Sequence, residues 1–174
     1  TERDWSSDVC SSDLNRIITT TLTVSKNEWK YATEVHFDPD PDLPMVAGLP
    51  GPLQQVLLIV VVNAAQAISA AGGGRGRIDI STAFDEQWVT ILVADDGPGI
   101  PVEVRDRVFE PFFTTKPVGQ GSGQGLSVAR SIIVKRHGGL LTFASAPGRG
   151  TTFVIRLPRD GDDVRVPLDD DVIG

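Results

Sequence analysis

Three short stretches with the residue types of a ligand site follow one another along the chain, each at a junction between predicted elements. Asn63 lies on an otherwise apolar helix, Asp95 opens an Asp-Asp-Gly-Pro-Gly turn after a strand, and Gly121-Ser-Gly-Gln-Gly125 leads into a second helix. The side-chain amide oxygen of an Asn can bind Mg²⁺, and the carboxylate of an Asp accepts hydrogen bonds. Backbone N–H groups at the start of a helix bind anions. Alone, each has an ordinary explanation: a carbonyl-bonded Asn, an Asp-Gly turn, a flexible linker. Their ordered combination indicates one shared site.

Periodicity and helix breakers predict the elements around these stretches. The alternating segment 29–37 predicts a strand, and the apolar segment 51–71, with Pro52 near its start and Gly72 after its end, predicts a buried helix. The remaining predicted elements are strands 78–84 and 88–94, a short helix 101–108, a long loop 109–123, a helix 125–137, and a hairpin of strands 140–145 and 151–157. This order predicts a two-layer α/β sandwich, with helices on one face of a mixed, mostly antiparallel sheet.

The two ends differ in character from the middle of the chain. Residues 4–14 read DWSSDVCSSDL, which is the translation of a short-read sequencing adapter. We therefore expect residues 1–14 to be non-native, 15–158 to form the domain and 159–174 to be an acidic, disordered tail, with the native start upstream. Cys10 is the only cysteine and lies in the adapter segment, so it carries no information on redox compartment.

Charge and hydropathy exclude two classes of partner. The two end segments hold ten of the 23 acids and three of the 16 bases, so the net charge of −7 belongs to them and the middle is neutral. A neutral domain has no basic footprint for nucleic acid. The most apolar run, 56–71, is shorter than the roughly 20 residues that a membrane span needs, which predicts a core helix.

Four segments resemble the boxes of the catalytic and ATP-binding domain of bacterial sensor histidine kinases, members of the gyrase, chaperone, kinase and mismatch-repair ATP-binding superfamily. LQQVLLIVVVNAAQAI resembles the N box, ADDGPGI the first glycine box, FEPFFTTKPVGQGSGQGLSVAR the F box with the second glycine box, and GRGTTFVIRLP the closing glycine box. The resemblance covers about residues 27–158, and the Thr-Thr-Lys-Pro motif is most similar to that of the nitrogen-regulatory subgroup. It implies a Bergerat-type ATP-binding fold with a mobile ATP lid.

The resemblance also implies a role for individual residues. Asn63 would bind Mg²⁺, Asp95 would accept the adenine amino group with Thr151 beside it, and Lys116 would be a lid cation. The implied nucleotide site comprises Asn63, Ala67, Asp95, Gly97, Gly99, Ile100, Thr115, Lys116, Gly121, Gly123, Gly125, Leu126 and Thr151. The implied F box that anchors the lid comprises Phe109, Phe112 and Phe113.

The function implied by the resemblance is that of a protein-histidine kinase. Mg·ATP would be presented to a histidine on an upstream dimerisation domain, and the phosphoryl group would pass to a response regulator receiver domain. His36 and His137 lack the His-Glu/Asp-x-x-x-Pro setting of a phosphoacceptor, so we predict structural roles for both and no catalytic residue in this chain. Homodimerisation would occur only through the upstream region. The domain would be cytoplasmic, in a protein either membrane-bound or cytosolic.

Two positions depart from the family pattern and leave alternatives open. Ile59 stands one turn before Asn63, where these kinases carry a second Asn and the related ATPases carry a Glu base, and Gln124 replaces a Leu. An Asn at 59 could orient the ion's waters, whereas Ile59 could instead pack into the core with the neighbouring valines. A nucleotide-binding pseudokinase is one alternative function. A gyrase- or chaperone-type ATP hydrolase is the other, although it requires a carboxylate at position 59.

Overall fold

The computed structural model describes residues 11–111 and 125–159. The helices in this part are α1 (Leu14–Val24), α2 (Lys26–Trp29), α3 (Pro50–Ala71) and α4 (Gly125–Ser131), with a 3₁₀ helix at Val102–Arg107 and a π turn at Ile132–Arg136. The strands are β1 (Ser11–Ser12), β2 (Thr33–Asp38), β3 (Val46–Ala47), β4 (Gly76–Phe84), β5 (Trp88–Asp95), β6 (Leu140–Ala146) and β7 (Gly150–Pro158).

Five of the strands form one sheet in the order β2-β4-β5-β7-β6. Strand β2 runs parallel to β4, and the other neighbouring pairs are antiparallel. Alternate residues of the central strands are buried under the helices, among them Ile80, Ile91 and Ile155, while their neighbours point to the opposite face. The predicted mixed, mostly antiparallel sheet with helices on one face is confirmed.

Helix α3 is the centre of the core. Pro50 and Pro52 lie in its first turn, where a missing N–H costs nothing, and Gly72 ends it in the left-handed region at φ 71°. Eight of its 22 residues are buried, including Leu57, Val60 and Ala64. By length and composition alone this helix could cross a membrane, so the prediction that it is too short to do so is wrong. Its burial against the sheet is what identifies it as a core helix.

The N-terminal segment contains structure that the sequence patterns did not predict. Leu14 is only 1% exposed, the Ser12 hydroxyl donates to the Gly48 carbonyl oxygen at 3.0 Å, and the Asp13 side chain accepts from Arg16 N at the start of α1. Residues 11–14 therefore pack as part of the fold, whatever their origin. Their non-native origin, and the domain limits placed at residues 15 and 158, stay predictions.

Two predicted elements differ from the structure. The strand predicted from residue 29 begins at Thr33, because residues 26–29 close a helical turn in which the Trp29 indole donates to the Ser25 hydroxyl at 3.1 Å. Tyr31, which lies within the predicted strand but before the observed one, is 80% exposed. The predicted helix 125–137 is α-helical only to Ser131 and then widens into the π turn. The loop predicted at 109–123 lies largely outside the described residues.

Candidate nucleotide-binding site

Asp95 is a buried carboxylate at the end of β5. It is 9% exposed, and its Oδ1 accepts a hydrogen bond from the Gly97 amide at 2.9 Å. Burial raises the pKa of the Asp95 carboxyl above its ordinary value of 3.8, while hydrogen bonds from the backbone amides of Gly97 and Thr151 oppose the rise. The neighbouring Asp96 is exposed and accepts from Arg77 N at 2.9 Å, which ties it to the β4 backbone. Of the two aspartates, Asp95 is therefore the one that a ligand would meet in a low-dielectric setting.

The turn after Asp95 lies directly on the hairpin between β6 and β7. Gly148 N donates to the Pro98 carbonyl oxygen at 2.9 Å. Gly99 has φ 82°, and a β-carbon there would lie 2.5 Å from the Ala146 carbonyl oxygen. Gly150 has φ 98°, and a β-carbon there would collide with the Asp95 carbonyl oxygen. Both positions require glycine because they combine positive φ with a close backbone approach.

A hydroxyl that the sequence analysis missed joins this turn to Thr151. The Ser145 Oγ accepts from Ile100 N at 2.7 Å and lies 3.1 Å from both the Gly150 carbonyl oxygen and the Thr151 Oγ1. Thr151 is buried and pairs with Asp95 across the β5–β7 ladder. The structure thus brings Asp95, Ile100 and Thr151 together. Ser145 gave no signal in sequence because its role depends on contacts across the fold.

The wall formed by α3 carries Asn63 and Ala67, which lie one turn apart and are both half-buried. No hydrogen bond to the Asn63 amide is found among residues 11–111 and 125–159. This disfavours the ordinary explanation for Asn63, a bond to a neighbouring carbonyl. Ile68, next to Ala67, approaches the Asp95 turn, because its Cγ1 lies 3.6 Å from the position of a β-carbon at Gly97.

The start of α4 meets α3 one turn before Asn63. A β-carbon at Gly125 would lie 3.3 Å from the Ile59 Cγ2, and both Ile59 and Leu126 pack against the core as half-buried side chains. Gly125 and Leu126 are thereby brought to the same wall as Asn63. For Ile59, the alternative of packing into the core is the one observed. Thr115, Lys116, Gly121, Gly123 and Gln124 lie outside the described residues.

Phe109 is anchored by aromatic neighbours. Its ring centroid lies 5.9 Å from that of Phe143, which in turn lies 5.8 Å from Phe153 in the core. The Arg130 guanidinium stands 5.6 Å from the Phe109 centroid, so the first residue of the predicted F box is held to both the sheet and α4. Phe143 was not predicted, since a strand phenylalanine gives no sign of which loop it supports. Phe112 and Phe113 lie outside the described residues.

Both histidines occupy positions that agree with structural roles. His36 is exposed on β2, with its Nε2 3.4 Å from a Glu34 carboxylate oxygen. His137 is buried, and its Nε2 accepts from Leu49 N at 3.2 Å while its Nδ1 lies 2.9 Å from the Ile132 carbonyl oxygen. Since Leu49 N can only donate, Nδ1 carries the hydrogen of a neutral ring. His137 therefore joins the start of α3 to the end of the π turn.

Comparison with known proteins identifies the family of this fold and site. Residues 48–161 match the family described as "Histidine kinase-, DNA gyrase B-, and HSP90-like ATPase". The chain belongs to this family. The match contains Asn63, Asp95, Gly125 and Thr151, so each wall of the site falls within the shared domain.

Sensor histidine kinases are among the proteins similar to this chain. Sensor histidine kinase ZraS of Escherichia coli (strain K12) is 38% identical over 147 residues, which is 84% of this chain and 30% of the kinase. The nucleotide-free catalytic domain of histidine kinase ThkA is 30% identical with a TM-score of 0.72, over 85% of this chain and 95% of that domain. A complex of ThkA with response regulator protein TrrA aligns with a TM-score of 0.69 at 29% identity, over 86% of this chain and 41% of the ThkA chain. The fold is thus that of a histidine kinase catalytic domain, and this chain spans about a third of the ZraS length.

Proposed function

We propose that this domain holds Mg·ATP for transfer of the γ-phosphoryl group to a histidine on another domain. The observation that carries the proposal is Asp95, a desolvated carboxylate facing α3, whose adjoining turn requires glycine. A buried carboxylate suits a base with an amino donor, and Gly97 and Gly99 let the turn that carries it pack closely against Ile68 and the Ala146 carbonyl. Membership of an ATPase family supports ATP as the nucleotide.

Asn63 fits the metal requirement of such a site. Mg²⁺ keeps several waters and binds few protein oxygens in addition to substrate phosphates. The Asn63 amide oxygen, which has no hydrogen-bond partner among the residues that the structure describes, is therefore a suitable ligand. When bound, the ion would neutralise charge on the phosphates. In the same proposal the Gly125 amide would bind the phosphates, with Gly121, Gly123, Thr115 and Lys116 in the roles that the family resemblance implies.

The phosphoryl transfer itself would need a second domain. The bond between the γ-phosphorus and the β,γ-bridging oxygen breaks, a phosphorus–nitrogen bond forms to the histidine, and ADP leaves. A base on the histidine's own domain would take the imidazole proton. This chain would contribute positioning and charge neutralisation, which phosphoryl transfer mainly requires. The ThkA–TrrA complex supports a response regulator as the next acceptor. We infer a cytoplasmic location for the domain.

Ile59 favours one alternative, a pseudokinase that binds nucleotide without transfer. The side chain packs where these kinases carry a second amide, so the helix offers one polar ligand instead of two. A hydrolase of the gyrase or chaperone type receives no such support. It requires a carboxylate base on α3, and the sequence from Pro50 to Ala71 contains neither Asp nor Glu.

Incubation with γ-labelled ATP tests the proposal. The full chain would be incubated alone, and then with a histidine-bearing dimerisation domain from a homologous kinase, with ATP binding measured in parallel. We expect binding without label on the chain alone, and acid-labile label on the added domain. His36→Asn is the control, because an exposed structural histidine should not change the result. Stable acid-labile label on the isolated chain would contradict the absence of a phosphoacceptor, and binding with no transfer would favour the pseudokinase.

A further inference from the structure

We propose that Ser145 is a positioning residue for the nucleotide base, acting through Thr151. The inference rests on the proposed ATP site and identifies how that site distinguishes adenine from guanine. Ser145 belongs to none of the four sequence boxes that define the resemblance. It lies near the end of β6, half-buried, between the Asp95 turn and the last strand.

The hydrogen-bond geometry at Ser145 leaves few arrangements. A hydroxyl has one hydrogen and two lone pairs. Ile100 N can only donate, so its 2.7 Å contact occupies one lone pair of Ser145 Oγ. The single hydrogen of Ser145 then goes either to the Gly150 carbonyl oxygen or to Thr151 Oγ1, both at 3.1 Å.

The choice between these two acceptors decides what Thr151 offers to a ligand. When Ser145 donates to Thr151, the threonine hydrogen is free to donate to a base or to a bridging water. When Ser145 donates to Gly150, the 3.1 Å contact remains a hydrogen bond only if Thr151 gives its hydrogen to Ser145, and Thr151 then offers only lone pairs. Thr151 is 6% exposed, so few water molecules compete for this hydrogen.

Adenine matches only the first arrangement. Its amino group donates, and the adjacent ring nitrogen accepts. Asp95 provides the acceptor, and Thr151 in the first arrangement provides the donor beside it, since the two residues are paired across β5 and β7. Guanine presents a carbonyl oxygen and a ring N–H at the same edge, so both contacts would be mismatched. The relay from Ile100 N–H through Ser145 to Thr151 thus favours adenine.

A double-mutant cycle separates this role from a general contribution to folding. Affinities for ATP and GTP would be measured by calorimetry for the wild-type chain, Ser145→Ala, Thr151→Val and the double variant. Thr142→Ala is the matched control, since it removes an exposed hydroxyl from the same strand. Ser145→Thr keeps a hydroxyl and should rescue binding. Melting temperatures without nucleotide would show that each variant is folded.

We expect Ser145→Ala to weaken ATP binding about tenfold, the loss that follows from one misdirected hydrogen bond. GTP binding should change little, so the ratio of ATP to GTP affinity falls. In the Thr151→Val background the Ser145 substitution should have no further effect, because linked residues are not additive. Additive losses, or unchanged ATP affinity in Ser145→Ala, would overturn the inference while leaving the proposed function intact. Failure of the wild-type chain to bind ATP would overturn both.

Discussion

Replacement of Asp95 by Asn changes the chemistry of the candidate site with little change in shape. The amide keeps an oxygen that can accept from Gly97 N, the contact now made by Asp95 Oδ1 at 2.9 Å. Its NH₂ group then takes the place of the second carboxylate oxygen. In the proposed complex this group faces the adenine amino group, so two donors meet in a buried site.

The size of the effect follows from burial. A buried donor left without an acceptor costs about 1–3 kcal/mol, which weakens ATP binding roughly 5- to 150-fold. Asp96→Asn is the matched control, because it makes the same chemical change at an exposed neighbour that holds the Arg77 amide. A surface substitution of this kind should alter affinity by about twofold or less.

Asp95→Asn should lower ATP affinity, but as the pH rises it should increase the stability of the ligand-free protein relative to wild type. Burial raises the pKa of Asp95, so its protonated form stabilises the fold. That contribution is fully present below the ordinary pKa of 3.8 and is lost as the pH rises through the higher pKa of the folded state. Asn stays neutral throughout. The free energy of unfolding of Asp95→Asn, relative to wild type, should therefore increase across this pH window.

Calorimetric titration with Mg·ATP measures the first effect, and urea denaturation at several pH values measures the second. Weaker binding by Asp95→Asn together with undiminished stability at neutral pH would support the assignment. Equal affinity in wild type, Asp95→Asn and Asp96→Asn would remove Asp95 from the site. A variant that loses affinity only because it has partly unfolded would instead show that the carboxyl acts through its bonds to the Gly97 and Thr151 amides, which hold the turn.

Two further substitutions test the walls of the site. Ile59→Asn should lower the free energy of unfolding by about 1–3 kcal/mol, because it puts an amide into the contact with Gly125; Ile59→Val is the control. An unchanged urea midpoint with improved Mg-dependent ATP affinity would instead show that position 59 belongs to the metal site. Gly150→Ala should destabilise the fold more than Gly148→Ala, since both have positive φ but only Gly150 faces a backbone oxygen; equal unfolding free energies would contradict the close packing of the hairpin on Asp95.

Local sequence patterns predicted the elements that local physics determines. Helix α3 followed from an uninterrupted apolar segment between Pro52 and Gly72, and the strands around Asp95 followed from alternation. The order of these elements also predicted the mixed sheet, because a strand–helix–strand unit favours a parallel pair and hairpins favour antiparallel ones. The N box and the glycine boxes then predicted a site at the end of the sheet where Asp95 pairs with Thr151.

Contacts between distant segments could not be predicted in the same way. The pairing of β1 with β3 involves two residues on each side and leaves no periodic signal. The Ser145 hydrogen bonds depend on Ile100 and Thr151 arriving from different parts of the chain. The π turn before His137 involves a side chain returning to a carbonyl five residues earlier, which overrides the α-helical pattern of the segment. In each case the tertiary arrangement decides the local structure.

A crystal structure of the full chain with Mg²⁺ and a non-hydrolysable ATP analogue would show whether Asp95 and Asn63 bind the nucleotide and the ion. We expect the adenine amino group within hydrogen-bonding distance of the Asp95 carboxylate, the base between Gly97 and the Thr151 side chain, and Mg²⁺ bound to the Asn63 amide oxygen. A nucleotide bound away from Asp95, or an ion held without Asn63, would contradict it.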